Sequence, residues 1–277
     1  MRLIKPSFEI IEQLPGIEGI YKQIELSGRT CYKSEDKITE TSAKEFVDRM
    51  IKSGHGAMLE HGTVYLKFYN TQIWVSEMTL EDSTYTGLFY TKNKHSKYNQ
   101  VENYMYVTTN LRTLVENNRL DDLRWICEPT EHHEKRYTVK FVTDQGILRE
   151  FTRHRSMSFA VESTRYCNYS KDKFNNEITF IQPCWLPDGD NSVPAENLFI
   201  ESLHKAEEIY FKLLKEGWKP QQARNVLPLA TKCDMVMTGF ISDWEHFFYL
   251  RTPQNAHPQA RELAIPLKEE FINRGYL

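Results

Sequence analysis

The sequence predicts a mixed α+β fold built as one domain across all 277 residues, and three observations carry that prediction. Apolar and polar side chains alternate strictly through Thr63, Val64, Tyr65, Leu66, Lys67 and Phe68, the mark of a half-buried strand. Phe46, Val47, Met50 and Ile51 recur at helical spacing, the mark of a helix with one buried stripe. No repeat, linker or low-complexity tract divides the chain.

In chain order, residues 1–32 suggest a short strand, a turn at Pro15-Gly16, and a helix through Ile20 and Ile24 ending near Gly28. Thr41 or Ser42 opens the next helix, with Ser42 and Glu45 at capping-box spacing, and Gly54 is placed to end it. After the 63–68 strand, residues 69–136 are rich in Tyr, Asn, Thr and Lys. Two short helical candidates lie there, at 111–117 and 120–127, and His132-His133 reads as a solvated polar turn.

Alternation returns at 137–142, and Asp144-Gln145-Gly146 turns the chain into a helix whose stripe is Ile147, Leu148 and Phe151. The triplet Arg153-His154-Arg155 is expected to close that helix, where cations suit the helix dipole. A strand follows at 178–181, and Cys184 beside Pro183 is expected to be a small buried thiol.

Residues 194–216 form a long amphipathic helix with Phe199, Leu203, Ala206, Tyr210 and Leu213 on one face and Gly217 closing it. Pro220 opens a short helix reaching Val226, and the apolar run 235–241 reads as a strand or buried segment. Ser242 and Glu245 suggest a second capping box, opening a helix with Trp244, Phe247, Phe248 and Leu250 as its core face. The final helix runs from about 262 to Arg274, kinked by Pro266 and stopped by Gly275.

Composition excludes several function classes. A net charge of −3 argues against a general nucleic-acid binder, so any bound phosphate must be met by a local group of Arg. The five cysteines, Cys31, Cys127, Cys167, Cys184 and Cys233, are odd in number and lack a CxxC pair, which suits neither a disulfide framework nor a zinc site. His55, Glu60 and His61 have the wrong spacing for HExxH, and no metal is expected. The N-terminal residues lack the apolar core of a signal peptide, and no run is long enough to span a membrane, so a cytoplasmic protein without a membrane partner is expected.

The stretch from Arg153 to Tyr166 carries the chemistry. Residues two apart on a helix point roughly 200° away from each other, so Arg153 and Arg155 would meet different electron-rich partners with His154 between them. In an extended segment they would share a face instead. Taken alone, the triplet is more simply a solvated basic turn.

The longer pattern, Arg153-His154-Arg155, seven residues, Ser163, one residue, Arg165-Tyr166, resembles the signature of the flavin-dependent thymidylate synthases. Three further blocks share the resemblance: Ser27-Gly28-Arg29-Thr30-Cys31-Tyr32, Ala223 to Leu229, and Leu250-Arg251 followed by His257-Pro258-Gln259-Ala260. It covers residues 27–68 and 137–262. Compact members of that family pass directly from strand to strand where this chain has 69–136, so that segment is expected to be an inserted lobe.

The resemblance implies an antiparallel sheet flanked by helices and a homotetramer with each active site between subunits. It implies bound FAD and reductive methylation of dUMP to dTMP, with methylenetetrahydrofolate as carbon donor and NADPH as the source of electrons. Carried over, Arg153, His154 and Arg155 would meet the flavin, with Arg153 also near the nucleotide phosphate of a neighbouring subunit. Ser163, Arg165 and Arg224 would hold that phosphate, as suits planar forks that stay charged and bind a dianion bidentately. Arg251 would be the catalytic residue, contacting the uracil ring and favouring its form ionised at N3. His246 and His55 would lie on the flavin side.

Two departures from the family pattern stand out. Glu150 occupies a place where Gln commonly contacts dUMP, which is unfavourable near a phosphate unless the carboxylate is protonated or turned toward Arg. Ala160, Val161 and Glu162 precede Ser163 where the family has Asn-Glu and an apolar residue. The rival reading is a non-catalytic nucleotide- or RNA-binding protein that keeps the Arg cluster as a phosphate cradle.

Overall fold

The computed structural model describes residues 1–69, 82–171, 174–186 and 194–277. Its first third holds β1 (Arg2–Ile4), β2 (Ser7–Ile11), α1 (Gly16–Tyr32), α2 (Ser42–Lys52), α3 (Gly56–Leu59) and β3 (Thr63–Tyr69). The middle holds α4 (Asp82–Lys92), β4 (Lys97–Val101), β5 (Tyr104–Asn110), α5 (Leu111–Glu116), β6 (Arg136–Asp144), α6 (Gln145–Phe151), β7 (Ser158–Val161) and β8 (Thr179–Ile181). The remainder holds α7 (Pro194–Lys215), α8 (Pro220–Ala223), β9 (Lys232–Phe240), α9 (Ile241–Arg251) and α10 (Pro258–Asn273).

Three sheets form among the described residues. The central one, in the order β2-β6-β9-β7, is antiparallel throughout, as expected. Strands β6 and β9 pair along their whole length, from Arg136 opposite Phe240 to Asp144 opposite Lys232. On one face Val139, Phe141, Met235 and Met237 pack with Phe151 of α6, Trp244, Phe247 and Phe248 of α9, and Leu267 and Phe271 of α10. Each such side chain contributes about 1.5–3 kcal/mol when removed from water, which fixes the three helices on that face. On the opposite face, Ala160 and Val236 pack with Cys31 of α1.

The second sheet, in the order β3-β5-β4, is also antiparallel and owes two of its strands to the 69–136 segment. It does not merely decorate a surface. Val64, Leu66, Met105, Val107 and Leu114 share a buried core with Ile20 and Ile24 of α1 and Phe46 of α2. A polar seam ties it to the central sheet: buried His61 meets Thr238 Oγ1 through Nδ1 at 2.8 Å, and Thr238 meets Thr138 Oγ1 at 2.8 Å. The third sheet is the parallel pair β1 and β8.

Several expectations are corrected. Gly28 does not end α1; a Cβ there would sit 2.5 Å from Phe46 Cζ, so its role is close packing, and the helix stops at Lys33 in the left-handed region (φ 48°). Ser42 is the first residue of α2 rather than its cap, and its hydroxyl accepts from the Thr39 N–H and donates to Glu25. At α9 the capping carboxylate is Asp243, which accepts the Phe240 N–H at 3.0 Å, while Ser242 turns to Glu134.

His133 is buried, with Nδ1 accepting the Thr130 N–H and Nε2 meeting Leu66 O at 3.1 Å, so it is not a solvated turn. Cys184 and Leu250 are exposed where burial was expected. The short helix after Pro220 divides into α8 and a 3-10 turn at Arg224–Val226, and α10 begins at Pro258, earlier than expected. No helix among the described residues is long and apolar enough to cross a membrane.

Candidate active site

Helix α6 starts where Asp144, the last residue of β6, accepts the Ile147 N–H at 2.7 Å. The other carboxylate oxygen of Asp144 accepts from Gln259 at 2.7 Å, which pins the head of α10 to the same point. Ile147 and Phe151 face the core, so Glu150 is left toward the outer side. The helix ends at Phe151, one turn before the basic triplet was expected to close it. Arg153, His154 and Arg155 instead lie in tight turns, with His154 N donating to Phe151 O and Met157 N to His154 O.

The helical geometry on which the expected separation of Arg153 and Arg155 rested is therefore absent at the triplet. His154 is buried against Phe247 at 5.0 Å between ring centres, whereas Arg153 and Arg155 are exposed. Helix α9 buries Trp244, Phe247 and Phe248 and therefore carries His246 and Arg251 on its other side. His246 comes within 6.0 Å of His154, ring centre to ring centre.

Arg251 closes this group. Its Nε donates to His154 Nε2 at 3.1 Å, one terminal nitrogen donates to Glu150 Oε2 at 2.8 Å, and the other to the Glu150 carbonyl at 2.7 Å. Burial, the Arg251 cation and His246 pull His154 down to about 4, so its imidazole is neutral at pH 7. With Nε2 accepting from Arg251, the ring proton resides on Nδ1. Glu150 is thus turned toward an arginine, the arrangement that makes a carboxylate tolerable here.

A second group forms where β7 ends. Glu162 is buried, accepting from Lys232 Nζ at 2.9 Å and from the Asp234 N–H at 3.1 Å, so it faces the protein interior. Ser163 N donates to Cys31 O at 2.9 Å, which ties this loop to the end of α1. Within the same α1 block, Arg29 is held by Glu25 at 3.0 Å.

Arg165 Nε donates to Gln221 Oε1 at 3.3 Å, and Arg224 donates to Thr164 Oγ1 at 3.0 Å. Each arginine is therefore steadied by the other's element. Both acceptors are neutral, both arginines are exposed, and neither forms an ion pair among the described residues, so two uncompensated charges on linked elements are available to an anion.

The structure therefore brings Glu150, His154, His246 and Arg251 together, and separately brings the Ser163–Arg165 loop to Arg224. No hydrogen bond joins the two groups among the described residues. The Arg153 side chain is exposed without a hydrogen-bond or ion-pair partner among the described residues, and His55 is exposed at the head of α3. Arg155 lines a cleft of about 600 Å³ facing the second sheet. Thr164 and Gln221 escaped the sequence reading, because neutral side chains on two separate elements leave no pattern in one chain. Arg136 and Arg112, which line the same cleft as Arg155, escaped it because only the folded second sheet covers them.

A family model described as thymidylate synthase complementing protein matches residues 126–274, more than half of the chain and both groups above. The probable flavin-dependent thymidylate synthase of Paramecium bursaria Chlorella virus 1 is 30% identical over 145 residues, covering 49% of this chain and 65% of that protein. The flavin-dependent thymidylate synthase of Synechocystis is 28% identical over 142 residues, covering 49% and 65%, and that of Haloarcula marismortui is 28% identical over 162 residues, covering 51% and 64%. The chain thus spans just under two thirds of the length of these relatives. A solved structure of the UMP/dUMP methylase PolB from Streptomyces cacaoi, bound with 5-Br dUMP, is similar at a TM-score of 0.44 and 17% identity, covering 99% of this chain and 93% of that one.

Proposed function

We propose, from the premise that this chain belongs to the thymidylate synthase complementing proteins, the family of flavin-dependent thymidylate synthases, that it methylates dUMP reductively to dTMP. The observation that carries the reading is the reciprocal hold between Arg165 and Arg224 through Gln221 and Thr164, which leaves two guanidinium charges uncompensated. A nucleotide phosphate is the dianion that such a pair suits.

In this reading Arg165 and Arg224 grip the phosphate of dUMP and Ser163 adds a neutral hydroxyl donor. Arg251 meets the uracil ring, draws negative charge toward N3 and so makes C5 a better nucleophile. His154 keeps Arg251 in place; being neutral, it adds no competing cation. Glu150 now holds two of the Arg251 nitrogens and must give way, or share them, as the pyrimidine arrives.

The residues present fit a flavin. Its electron-rich ring edge and its phosphates call for cations, and Arg153 and Arg155 are two exposed guanidinium groups without protein partners among the described residues. His246 and His55 are exposed and able to flank it. When bound, FAD reduced by NADPH supplies the hydride, and methylenetetrahydrofolate supplies the carbon. We place Arg153 on the phosphate of a neighbouring subunit within a homotetramer, treat residues 1–277 as one catalytic domain elaborated at 69–136, and assign the protein to the cytoplasm.

The test is direct. The purified protein is expected to be yellow, to release FAD on denaturation, and to form dTMP from dUMP, methylenetetrahydrofolate and NADPH. A colourless protein that FAD cannot reconstitute removes the reading. The clamp of Glu150 on Arg251 is what would favour a non-catalytic nucleotide binder, which would bind dUMP without oxidising NADPH.

A further inference from the structure

Glu162 departs from the family pattern directly before Ser163, and its side chain turns into the protein interior. There it joins a quartet of two carboxylates and two amines. One oxygen of Glu162 accepts both from Lys232 Nζ at 2.9 Å and from the Asp234 N–H at 3.1 Å. Lys232 Nζ also lies 2.6 Å from Asp234 Oδ1, near enough for an ion pair though not aligned for a hydrogen bond. The other oxygen of Asp234 takes Lys33, the left-handed residue that stops α1, and Lys33 reaches Glu35 as well, at 3.1 Å. Burial alone would raise the Asp234 carboxyl, but Lys232 and Lys33 hold it below its ordinary value, so it is ionised at pH 7.

The quartet joins the end of α1, the end of β7 and the start of β9 at the root of the loop that carries Ser163 and Arg165. Backbone bonds run beside it: Glu162 N donates to Asp234 O at 2.8 Å, and Ser163 N donates to Cys31 O at 2.9 Å, two residues before Lys33. Lys33, Glu162 and Lys232 also line a cavity of about 270 Å³ with Arg2, Tyr169 and Thr179, so apolar packing leaves this side of the root open. A buried ion pair commonly stabilises a fold no better than apolar residues of the same size, so stability is a poor reason for four charges here. Direction is a better one. Each of these contacts fixes one piece of chain against another at a set distance and angle.

We propose that Lys33, Glu162, Lys232 and Asp234 are positioning residues that set the Ser163–Arg165 loop in the shape that receives a nucleotide phosphate. They touch no ligand and act through Arg165, whose forked contact with a phosphate depends on where the fork is held. The inference rests on the function proposed above for the identity of the ligand. The group around Arg251 has no hydrogen bond to this loop among the described residues, so the uracil end of the site lies outside the influence of the quartet.

The test is a double-mutant cycle read by equilibrium dialysis of labelled dUMP on the full chain, with a thermal melt of every variant to establish that it is folded. Glu162→Gln keeps the shape and an acceptor oxygen but discards the charge, and is expected to weaken dUMP binding about tenfold. In an Arg165→Ala background the same change is expected to alter affinity by less than about twofold, whereas in Arg251→Ala it keeps its full effect. Lys33→Gln, at a side chain 20% exposed, is the milder variant; it is expected to weaken binding about threefold with the same dependence on Arg165, and it decides the matter if Glu162→Gln does not fold. Unchanged dUMP affinity in the folded variants, or equal losses in all three backgrounds, shows a merely structural quartet and overturns the proposal. Wild-type protein that binds no dUMP overturns the function proposed above together with this inference. Binding without dTMP formation overturns that function alone, because the cycle reads affinity and not turnover.

Discussion

Arg251 and His154 are joined with the imidazole as acceptor, Nε to Nε2 at 3.1 Å, so the cation that the proposed chemistry needs is aimed by a histidine that must stay unprotonated. Protonation of His154 would set two positive groups against each other and release the arginine.

The pH dependence of stability follows. His154 is depressed from 6.5 to about 4 by burial and by Arg251, and His61 to about 3 by burial and by Arg136. In both cases the unfolded chain takes up a proton before the folded one does. Their stabilisation is complete above pH 6.5 and is lost as the pH falls through the folded values, by about 3 kcal/mol for His154 alone at 1.36 kcal/mol per unit. Thermal melts between pH 7.5 and 4 are expected to show a falling midpoint, with a shallower fall in His154→Asn. Identical slopes for the two proteins would remove the argument.

Glu150→Gln takes the negative charge off Arg251 while the Glu150 carbonyl contact can persist. If Glu150 competes with the nucleotide, the variant binds dUMP several-fold more tightly. The fold is expected to lose no more than about 1 kcal/mol, since the carboxylate is partly exposed. Weaker dUMP binding in the variant would mean that Glu150 touches the nucleotide itself.

Arg224→Ala removes one of the two uncompensated forks and is expected to weaken dUMP binding by about 1.5–3 kcal/mol, the range for hydrogen bonds to charged groups. Thr164→Val deletes only the neutral acceptor that steadies Arg224, so its effect is smaller, about 0.5–1.5 kcal/mol. Equilibrium dialysis with labelled dUMP separates the two, and equal effects would contradict the division of roles.

Gly28→Ala drives a methyl group into the Phe46 ring, 2.5 Å from Cζ and 2.8 Å from Cε1. Overpacking of this kind costs about 1–3 kcal/mol, and a urea midpoint unchanged from wild type would show that α1 and α2 part easily.

Much of this architecture was legible in the chain. The 63–68 and 137–142 alternations became β3 and β6, and Gly54, Gly217 and Gly275 each adopt the positive φ that closes the helix before them. What escaped was set by tertiary contacts. Ser242 is the cap expected from sequence, but its hydroxyl turns to Glu134 and Asp243 accepts the Phe240 N–H instead. His133 reads as polar until Leu66 of the second sheet supplies its acceptor.

The site followed the same division. The basic triplet, Ser163, Arg165, Arg224 and Arg251 could be singled out because their pattern along the chain resembles that of a known family. The neutral residues that steady them were not, and neither was the inward turn of Glu162 toward Lys232, which depends on β7 and β9 lying side by side.

The histidine and two threonines at the boundary between the sheets have a practical implication for anyone trimming this protein. His61 Nδ1, Thr238 and Thr138 are linked by hydrogen bonds in a buried place, and Thr238 sits two residues before β9 runs on into α9. A shortened chain lacking the outer sheet would expose that trio at the root of the helix that presents Arg251. Minimal versions of the scaffold will therefore need these three positions redesigned together before any loop is cut.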